Sequence, residues 1–226
     1  MSIVQVVSRG VVWNWVAITV SKVVVFANLF IILRYLTVYE YGFAELVMSI
    51  VSVVGIVLLP GLSSAVIADL ALERGRGNSV QVSLLFHQYI ALLSVLGALA
   101  WSVLFFGAES IADIAGTPYA AQFIQIVSFT FLIAPLRAMT QTLATVMLRF
   151  FDQSFYSVAE EAFKLLLLSS FVVSFSMGIT GLLLAIVLSQ IATVVVFLPR
   201  TISAYATFPG TISREHSHFW QLLKAH

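Results

Sequence analysis

Residues 11–42 read VVWNWVAITVSKVVVFANLFIILRYLTVYEYG, and this stretch decides the fold. The run Val11–Leu33 carries a single charge, Lys22, and is long enough for a helix to cross a bilayer core of roughly 30 Å. The run therefore predicts a membrane span. A lysine at mid-depth costs about 2.5–3.5 kcal/mol on insertion scales, so Lys22 should face a bundle interior or a wet cavity instead of lipid.

The composition extends this prediction to the whole chain. The 226 residues are 61% hydrophobic and only 9% charged, with a mean hydropathy of +1.05, whereas about a quarter of the residues in a soluble domain are charged. The absence of cysteine excludes a disulfide framework and thiolate metal sites. A net charge of +1 gives no electrostatic reason to bind nucleic acid. The apolar run after Arg9 is too long for a signal-peptide core, so we expect the first span to stay in the mature protein.

Six apolar segments predict an all-α polytopic membrane protein with a six-helix bundle. They cover residues 11–33, 43–67, 82–106, 123–148, 154–176 and 179–198. Thr37-Val38-Tyr39-Glu40 has the form of a capping box and should open the second span. Gly116-Thr117-Pro118 should open the fourth, with threonine as N-cap and proline at the first helical position.

Pro199 is expected to close the sixth span, and residues 199–226 then form an amphipathic cytoplasmic connector. Within it, Phe219, Leu222 and Leu223 share one helix face, which suits a membrane interface. The cations predict the orientation, because Lys and Arg in short loops stay cytoplasmic. Six crossings leave Arg34 alone on the outer side and place on the inner side Arg9, Arg74, Arg76, Arg149, Arg200, Arg214 and Lys224. Both termini should therefore be cytoplasmic.

Three cations lie near the centres of predicted spans: Lys22, Arg137 and Lys164. Asn14, Ser21 and Asn28 recur every seven residues and give span one a polar stripe, with Lys22 about a quarter-turn to one side. In span four, Thr130 and Gln141 share the side of Arg137. These patterns predict that both helices have one wet flank.

Each of these polar residues could also have a purely structural role. Lys164 follows Glu160 and Glu161 at the spacing of intrahelical ion pairs, so these acids serve either ion coupling or a structural pair. Arg137 has no acid nearby on its own helix, so its partner is another helix, water or a ligand. The asparagines and Gln141 either bind ligand or hold helices together.

The sequence contains no motif that indicates an enzyme. His87 stands alone in span three, and His216, His218 and His226 lie in the tail with one acid, Glu215, and no cysteine to complete a metal set. Gly61-Leu62-Ser63-Ser64 has no histidine at a matching depth, and no glycine-rich phosphate loop is present. We therefore expect neither an enzyme nor a metal site or cofactor.

The first third of the chain resembles the start of bacterial polysaccharide (O-antigen type) flippases, which belong to the multidrug/oligosaccharidyl-lipid/polysaccharide exporter superfamily. The matching residues are Gly10, Trp13, Lys22, Phe26, Leu29, Leu33-Arg34-Tyr35-Leu36-Thr37, Glu40-Tyr41-Gly42, Leu59-Pro60-Gly61-Leu62 and Glu73-Arg74-Gly75. Thr37-Val38 replace the Gly-Pro that is usual in the family's turn. Leu148-Arg149-Phe150 before the fifth span also fits the pattern.

This resemblance implies a transporter of two six-helix lobes that moves a polyprenyl-diphosphate-linked oligosaccharide across the bacterial inner membrane by alternating access. Cations in the central cavity would meet the diphosphate, which assigns substrate binding to Lys22 and Arg137, with hydrogen bonds from Asn14, Asn28 and Gln141. The chain resembles only the first lobe, so the expected partners are membrane lipids, this substrate and a second lobe or second copy. Two alternatives remain: an ion-coupled multidrug-type exporter lobe, and a non-transporting scaffold of a glycan-assembly complex.

Overall fold

The computed structural model describes residues 3–58, 62–147 and 150–206, and every regular element in these ranges is helical. The α-helices are α1 (Ile3–Tyr35), α2 (Val38–Leu58), α3 (Leu62–Gly75), α4 (Ser79–Phe106), α5 (Ala108–Ile114), α6 (Ala121–Val146), α7 (Phe150–Leu168) and α8 (Gly178–Ala206). A 3-10 turn (Pro118–Ala120) precedes α6, and a π-helical segment (Ser169–Ser174) extends α7. The predicted fold class, an all-α polytopic membrane protein, is confirmed.

The turn between α1 and α2 contains the predicted capping box. The backbone N–H of Thr37 donates to Glu40 Oε2 at 2.8 Å, and the backbone N–H of Glu40 donates to Thr37 Oγ1 at 3.2 Å. These bonds satisfy two amides that a helix start leaves free. They let α2 begin at Val38, five residues before the predicted start of the second span.

The second predicted span, residues 43–67, is covered by two described helical segments. Helix α2 ends at Leu58 and α3 begins at Leu62, on the two sides of residues 59–61, which lie outside the described part of the chain. Helix α3 runs on to Gly75, beyond the predicted span.

Five helical segments are long and apolar enough to cross a membrane: Asn14–Tyr35, Val38–Ile56, Val80–Phe106, Pro118–Val146 and Gly178–Ser203. The fifth predicted span, residues 154–176, is not among them. Its place is taken by α7 and the π-helical segment, which together extend about 35 Å. Asp152, Glu160, Glu161 and Lys164 give α7 four charged side chains, so its composition is less apolar than that of the five membrane-length segments.

Contacts between helices define two ends of the bundle. At one, the Arg74 end, Arg74 Nη1 donates to the Val146 carbonyl and Thr140 meets Thr201 at 3.0 Å. At the other, the Glu109 end, the start of α2 packs on the start of α6 through the rings of Phe43 and Phe123, 5.6 Å apart. Apolar side chains fill the bundle near both ends, including Val47, Ala108, Ile124 and Leu183 towards the Glu109 end and Leu70, Val82, Phe86 and Leu143 towards the Arg74 end.

Helix α7 runs antiparallel to α8. The rings of Tyr156 and Phe197 are 5.1 Å apart near the Arg74 end, while Gly181 lies against Phe171 near the Glu109 end. Helices α6 and α8 run parallel, because the ends of both lie at the Arg74 end. Helix α7 therefore returns the chain along the full length of two parallel membrane-length helices.

The prediction that Pro199 closes the last helix is wrong, since Pro199 lies inside α8. A proline removes one backbone hydrogen bond, and the turn after it is held by tertiary contacts. Thr201 is buried and meets Thr140, and the Tyr205 hydroxyl meets His87 Nε2 at 2.6 Å. The remainder of the predicted connector, residues 207–226, lies outside the described residues.

Helix α6 contains a second internal proline, Pro135, which leaves the Phe131 carbonyl without its usual helical donor. Gly97 of α4 packs directly on that carbonyl, so closely that a Cβ on Gly97 would lie 2.6 Å from the oxygen. Only glycine allows this approach. The predicted cap of the same helix differs in detail, because Thr117 precedes the 3-10 turn and its buried hydroxyl has no partner.

Candidate functional site

The guanidinium of Arg137 on α6 meets the carboxylate of Glu160 on α7. Arg137 Nη2 lies 3.0 Å from each carboxylate oxygen of Glu160. The two side chains are 30% and 15% exposed, so the pair is largely withdrawn from solvent. The sequence left three possible partners for Arg137, and the structure shows an acid on another helix, Glu160 of α7.

A second polar group joins α1 to α7 beside this pair. Lys164 Nζ donates to Glu161 Oε1 at 2.9 Å, the local pairing that the sequence predicted. Asn28, only 4% exposed, donates to Glu161 Oε2 at 3.1 Å from α1. Glu161 therefore neutralises Lys164 and also binds α1, and both glutamates serve ion pairs in this structure.

Polar contacts continue along the interface between α1 and α7. Ser154 Oγ donates to Asn14 Oδ1 at 3.5 Å towards the Arg74 end, whereas the Asn28–Glu161 contact lies further along both helices. The two helices therefore run parallel. Their interface is held by hydrogen bonds between polar side chains, which is one way in which helices associate in lipid.

Lys22 lies between these two contacts, beside a cavity of about 220 Å³. The lining residues are Asn14, Ala17, Ile18, Ser21, Lys22, Gln153, Ser154 and Ser157. We call this the Lys22 pocket. Lys22 is exposed and makes no ion pair with any residue of the described ranges. Near the middle of α1, α6 and α7 lie three cations and two carboxylates. Glu160 pairs with Arg137 and Glu161 pairs with Lys164, so the unpaired positive charge is that of Lys22.

The Lys22 pocket and the Arg137–Glu160 pair open on the same flank of α7. At 100° per residue, Gln153, Ser157 and Glu160 fall within about 60° of one another, whereas Glu161 points to α1. Glu160, the partner of Arg137, therefore lies on the same side of α7 as Gln153 and Ser157 of the Lys22 pocket. Arg137 and Lys22 differ in charge balance, since Arg137 is paired and Lys22 is free.

Gln141 lies elsewhere, towards the Arg74 end. It borders a small cavity of about 20 Å³ whose other lining residues include Asp152, Tyr156, Phe197 and Arg200. That volume holds roughly one water molecule. Gln153 borders both cavities, so Gln141 is separated from the Lys22 pocket by α7 side chains. The predicted role of Gln141 in substrate binding stays a prediction.

Several buried polar atoms near these groups have no hydrogen-bond partner in the described structure. They are Asn28 Oδ1, Arg137 Nε, Thr142 Oγ1, Tyr156 Oη and Gln190 Oε1. An unsatisfied polar group in an apolar environment is costly, so such groups usually bind water. These atoms lie on α1, α6, α7 and α8, the helices that also carry the Arg137–Glu160 and Asn28–Glu161 contacts.

The sequence interpretation missed three polar residues on α2. Glu45, Ser49 and Ser52 are all exposed and fall within about 60° of one another, in an arc that also contains the exposed Ile56. The signal was present in the spacing of i, i+4 and i+7. It was obscured because every other residue from Phe43 to Ile56 is apolar or glycine.

His87 has a structural role. Its Nδ1 lies 2.7 Å from the Ser83 carbonyl, to which it can donate, and its Nε2 lies 2.6 Å from the Tyr205 hydroxyl. Both ring nitrogens are thus occupied. Over residues 3–58, 62–147 and 150–206, no group of three or more His, Cys, Asp or Glu side chains could hold a metal ion.

These features define a class: a polytopic α-helical membrane protein with ion pairs and an unpaired lysine among its described helices. A family model described as "polysaccharide biosynthesis protein" matches residues 31–219. The match covers more than half of the chain, which therefore belongs to this polysaccharide biosynthesis family. No curated protein and no solved structure matches it significantly.

Proposed function

We propose that the chain is one lobe of a transporter that moves a polyprenyl-diphosphate-linked oligosaccharide across the bacterial inner membrane for polysaccharide synthesis. Family membership supports the link to polysaccharide synthesis. The resemblance of residues 10–42 to flippases supports transport. The observation that carries the proposal is the unpaired Lys22 in a polar pocket at mid-depth.

The physical argument concerns the cost of a free cation in a membrane. An unpaired lysine is expensive at this depth unless water or an anion surrounds it. The amides of Asn14 and Gln153 and the hydroxyl of Ser21 offer further hydrogen bonds around the Lys22 ammonium, whereas the hydroxyls of Ser154 and Ser157 already donate to Asn14 Oδ1 and the Gln153 carbonyl. A phosphate group is the anion that this set of donors suits, because it accepts several hydrogen bonds while it neutralises the lysine.

A diphosphate carries more than one negative charge, and the described part of this lobe provides one free cation at that depth. We therefore infer that a second lobe, or a second copy of this chain, provides the remaining positive charge. The same partner would cover the exposed polar side chains of α1, which would otherwise face lipid.

The charges at the two ends support an orientation. Arg74, Arg76 and Arg200 lie at the Arg74 end, and Glu109 and Asp113 lie at the Glu109 end. Cytoplasmic loops carry the excess of Lys and Arg, so we place the Arg74 end in the cytoplasm. The antiparallel course of α7 beside α8 supports a sixth crossing, which puts both termini on the cytoplasmic side.

The test removes the free charge and leaves the helix intact. In cells whose glycan export depends on the chain, we expect Lys22→Ala to reduce export at least tenfold. Lys22→Arg should restore at least a third of it, because the charge returns. Thr19→Ala is the matched control, since the exposed Thr19 hydroxyl only donates to the Trp15 carbonyl on the same helix.

Export that survives Lys22→Ala would contradict the proposal and would favour a non-transporting scaffold role. The ion-coupled multidrug-type exporter receives less support, because Glu160 and Glu161 are paired with Arg137 and Lys164. Such an exporter needs a carboxylate that can bind and release its coupling ion.

A further inference from the structure

Residues 107–120 connect α4 to α6 at the Glu109 end and contain α5, and we call them the α5 segment. The segment begins where the membrane-length stretch Val80–Phe106 ends, and its last residues overlap the start of Pro118–Val146. Three of its alanines, Ala108, Ala112 and Ala120, are fully buried in the hydrophobic core. The α5 segment is therefore packed on the bundle at the level where the membrane ends.

Backbone hydrogen bonds fix the end of α5. The Thr117 N–H donates to the Ala112 carbonyl at 2.9 Å, and the Gly116 N–H donates to the Asp113 carbonyl at 3.0 Å. Gly116 is left-handed, with a φ of 68°, so these bonds form a Schellman motif. The direction of the side chains just before the motif, including Ile114, is therefore set by the backbone.

Two large side chains of this fixed segment are left uncovered. Ile114 is 88% exposed and Tyr119 is 84% exposed. Water is a poor medium for an isoleucine that is held outwards, and a tyrosine ring with its hydroxyl suits the boundary between lipid and water. The nearest apolar medium for each side chain is the bilayer that α4 and α6 cross.

The sides of α5 differ in polarity. At 100° per residue, Glu109 and Asp113 fall about 40° apart on one flank of the buried alanines, and Ile111 and Ile114 fall about 60° apart on the other. Ser110 lies between the two flanks, opposite the alanines. Both acids are exposed, whereas Ile111 is half-buried against the core. This arrangement is typical of a helix that lies along a membrane surface, with one flank towards water and the other towards lipid.

We propose that the isoleucine flank of α5 inserts into the lipid headgroup region at the Glu109 end and makes the α5 segment a membrane-surface contact of the protein. The partner is the lipid surface itself. The exposed carboxylates of Glu109 and Asp113 repel anionic headgroups, so zwitterionic lipids such as phosphatidylethanolamine suit this contact better. The inference is independent of the proposed function, because no residue of the Lys22 pocket takes part in it.

Single-cysteine spin labels test this contact, because the chain contains no cysteine of its own. In vesicles of phosphatidylethanolamine and phosphatidylglycerol, each label is exposed to oxygen, which concentrates in lipid, and to a nickel chelate, which stays in water. The ratio of oxygen to nickel collisions at Ile114→Cys should exceed the ratio at Asp113→Cys at least threefold. Asp113→Cys is the matched control, since Asp113 is adjacent and also exposed but lies on the acidic flank. Neither label displaces packed atoms, because both positions are exposed.

Equal ratios at Ile114→Cys and Asp113→Cys would overturn the inference, because both flanks of α5 would then share one medium. Protection of Ile114→Cys from both reagents would also overturn it, because a protein partner would then cover the isoleucine flank. Glu109→Cys should match Asp113→Cys, and a ratio like that of Ile114→Cys would contradict the orientation of α5. Raising the share of phosphatidylglycerol should lower the ratio at Ile114→Cys, and an unchanged ratio would refute the preference for zwitterionic lipids.

Discussion

Glu160→Gln should lower the stability of the bundle and strengthen its binding of anions at the same time. The variant keeps the shape of the side chain and removes the charge that neutralises Arg137, 3.0 Å away. Removing one partner of a fully buried pair costs about 3–5 kcal/mol. Because Arg137 is 30% exposed and Glu160 15%, solvent reduces this cost, and we expect about 1–3 kcal/mol.

The gain in binding follows from the same change. Glu160 and the lining of the Lys22 pocket share a flank of α7, so a freed Arg137 adds a second cation to that flank. One additional charged hydrogen bond is worth about 1.5–3 kcal/mol, which corresponds to at least about tenfold in affinity for polyprenyl diphosphate. Unfolding of the purified protein in detergent measures the first effect, and equilibrium binding in nanodiscs measures the second.

Two further variants complete the experiment. Glu109→Gln, which removes an exposed acid at the end of the bundle, should change stability by less than about 0.5 kcal/mol. The double variant Arg137→Gln, Glu160→Gln should recover most of the lost stability but none of the gained affinity. If Glu160→Gln unfolds like Glu109→Gln and binds like the unmodified chain, the reasoning about paired and free charges is refuted.

Three other predictions concern the packing of the helices. Gly97→Ala would place a Cβ 2.6 Å from the Phe131 carbonyl oxygen and should destabilise the protein by about 1–3 kcal/mol. The control Gly42→Ala, whose Cβ would have no atom within 4 Å, should be neutral or stabilise it by about 0.5–1 kcal/mol. Equal unfolding midpoints of the two variants would contradict the close approach of Gly97 to α6. Thr37→Ala removes the capping box and should lower the free energy of unfolding by about 0.5–2 kcal/mol in the same assay. An unchanged free energy of unfolding would show that packing alone holds the start of α2. Asn28→Asp places a second carboxylate against Glu161 and should weaken the attachment of α1 to α7. Limited proteolysis near the start of the chain should then be faster. Adding Glu161→Gln should restore protection, and failure to do so would exclude charge repulsion as the cause.

Local patterns predicted local structure well. The Thr37–Glu40 capping box and the Glu161–Lys164 pair each join residues three positions apart, so the sequence contains both partners in one helical turn. The contacts Arg137–Glu160 and Asn28–Glu161 join residues 23 and 133 positions apart. Periodicity shows that such side chains share a face, but it cannot show which helix lies opposite.

Prolines were the least predictable residues. Pro199 was expected to end a helix, but α8 continues to Ala206 because Thr201 and Tyr205 make tertiary contacts beyond it. In α6, Pro135 is accommodated because Gly97 approaches the carbonyl that the proline leaves free. Both outcomes depend on neighbouring helices, which single-helix rules do not include.

The contact between Asn28 and Glu161 also determines the order of events during biosynthesis. The two residues are 133 positions apart in the chain, and ribosomes add roughly 5–20 residues per second, so the nascent first helix waits about 7–27 s before its partner is made. Throughout that interval Lys22 and Asn28 have no α7 to shield them from the bilayer. During that interval the first helix lacks the hydrogen bonds to Ser154 and Glu161 that later attach it to α7.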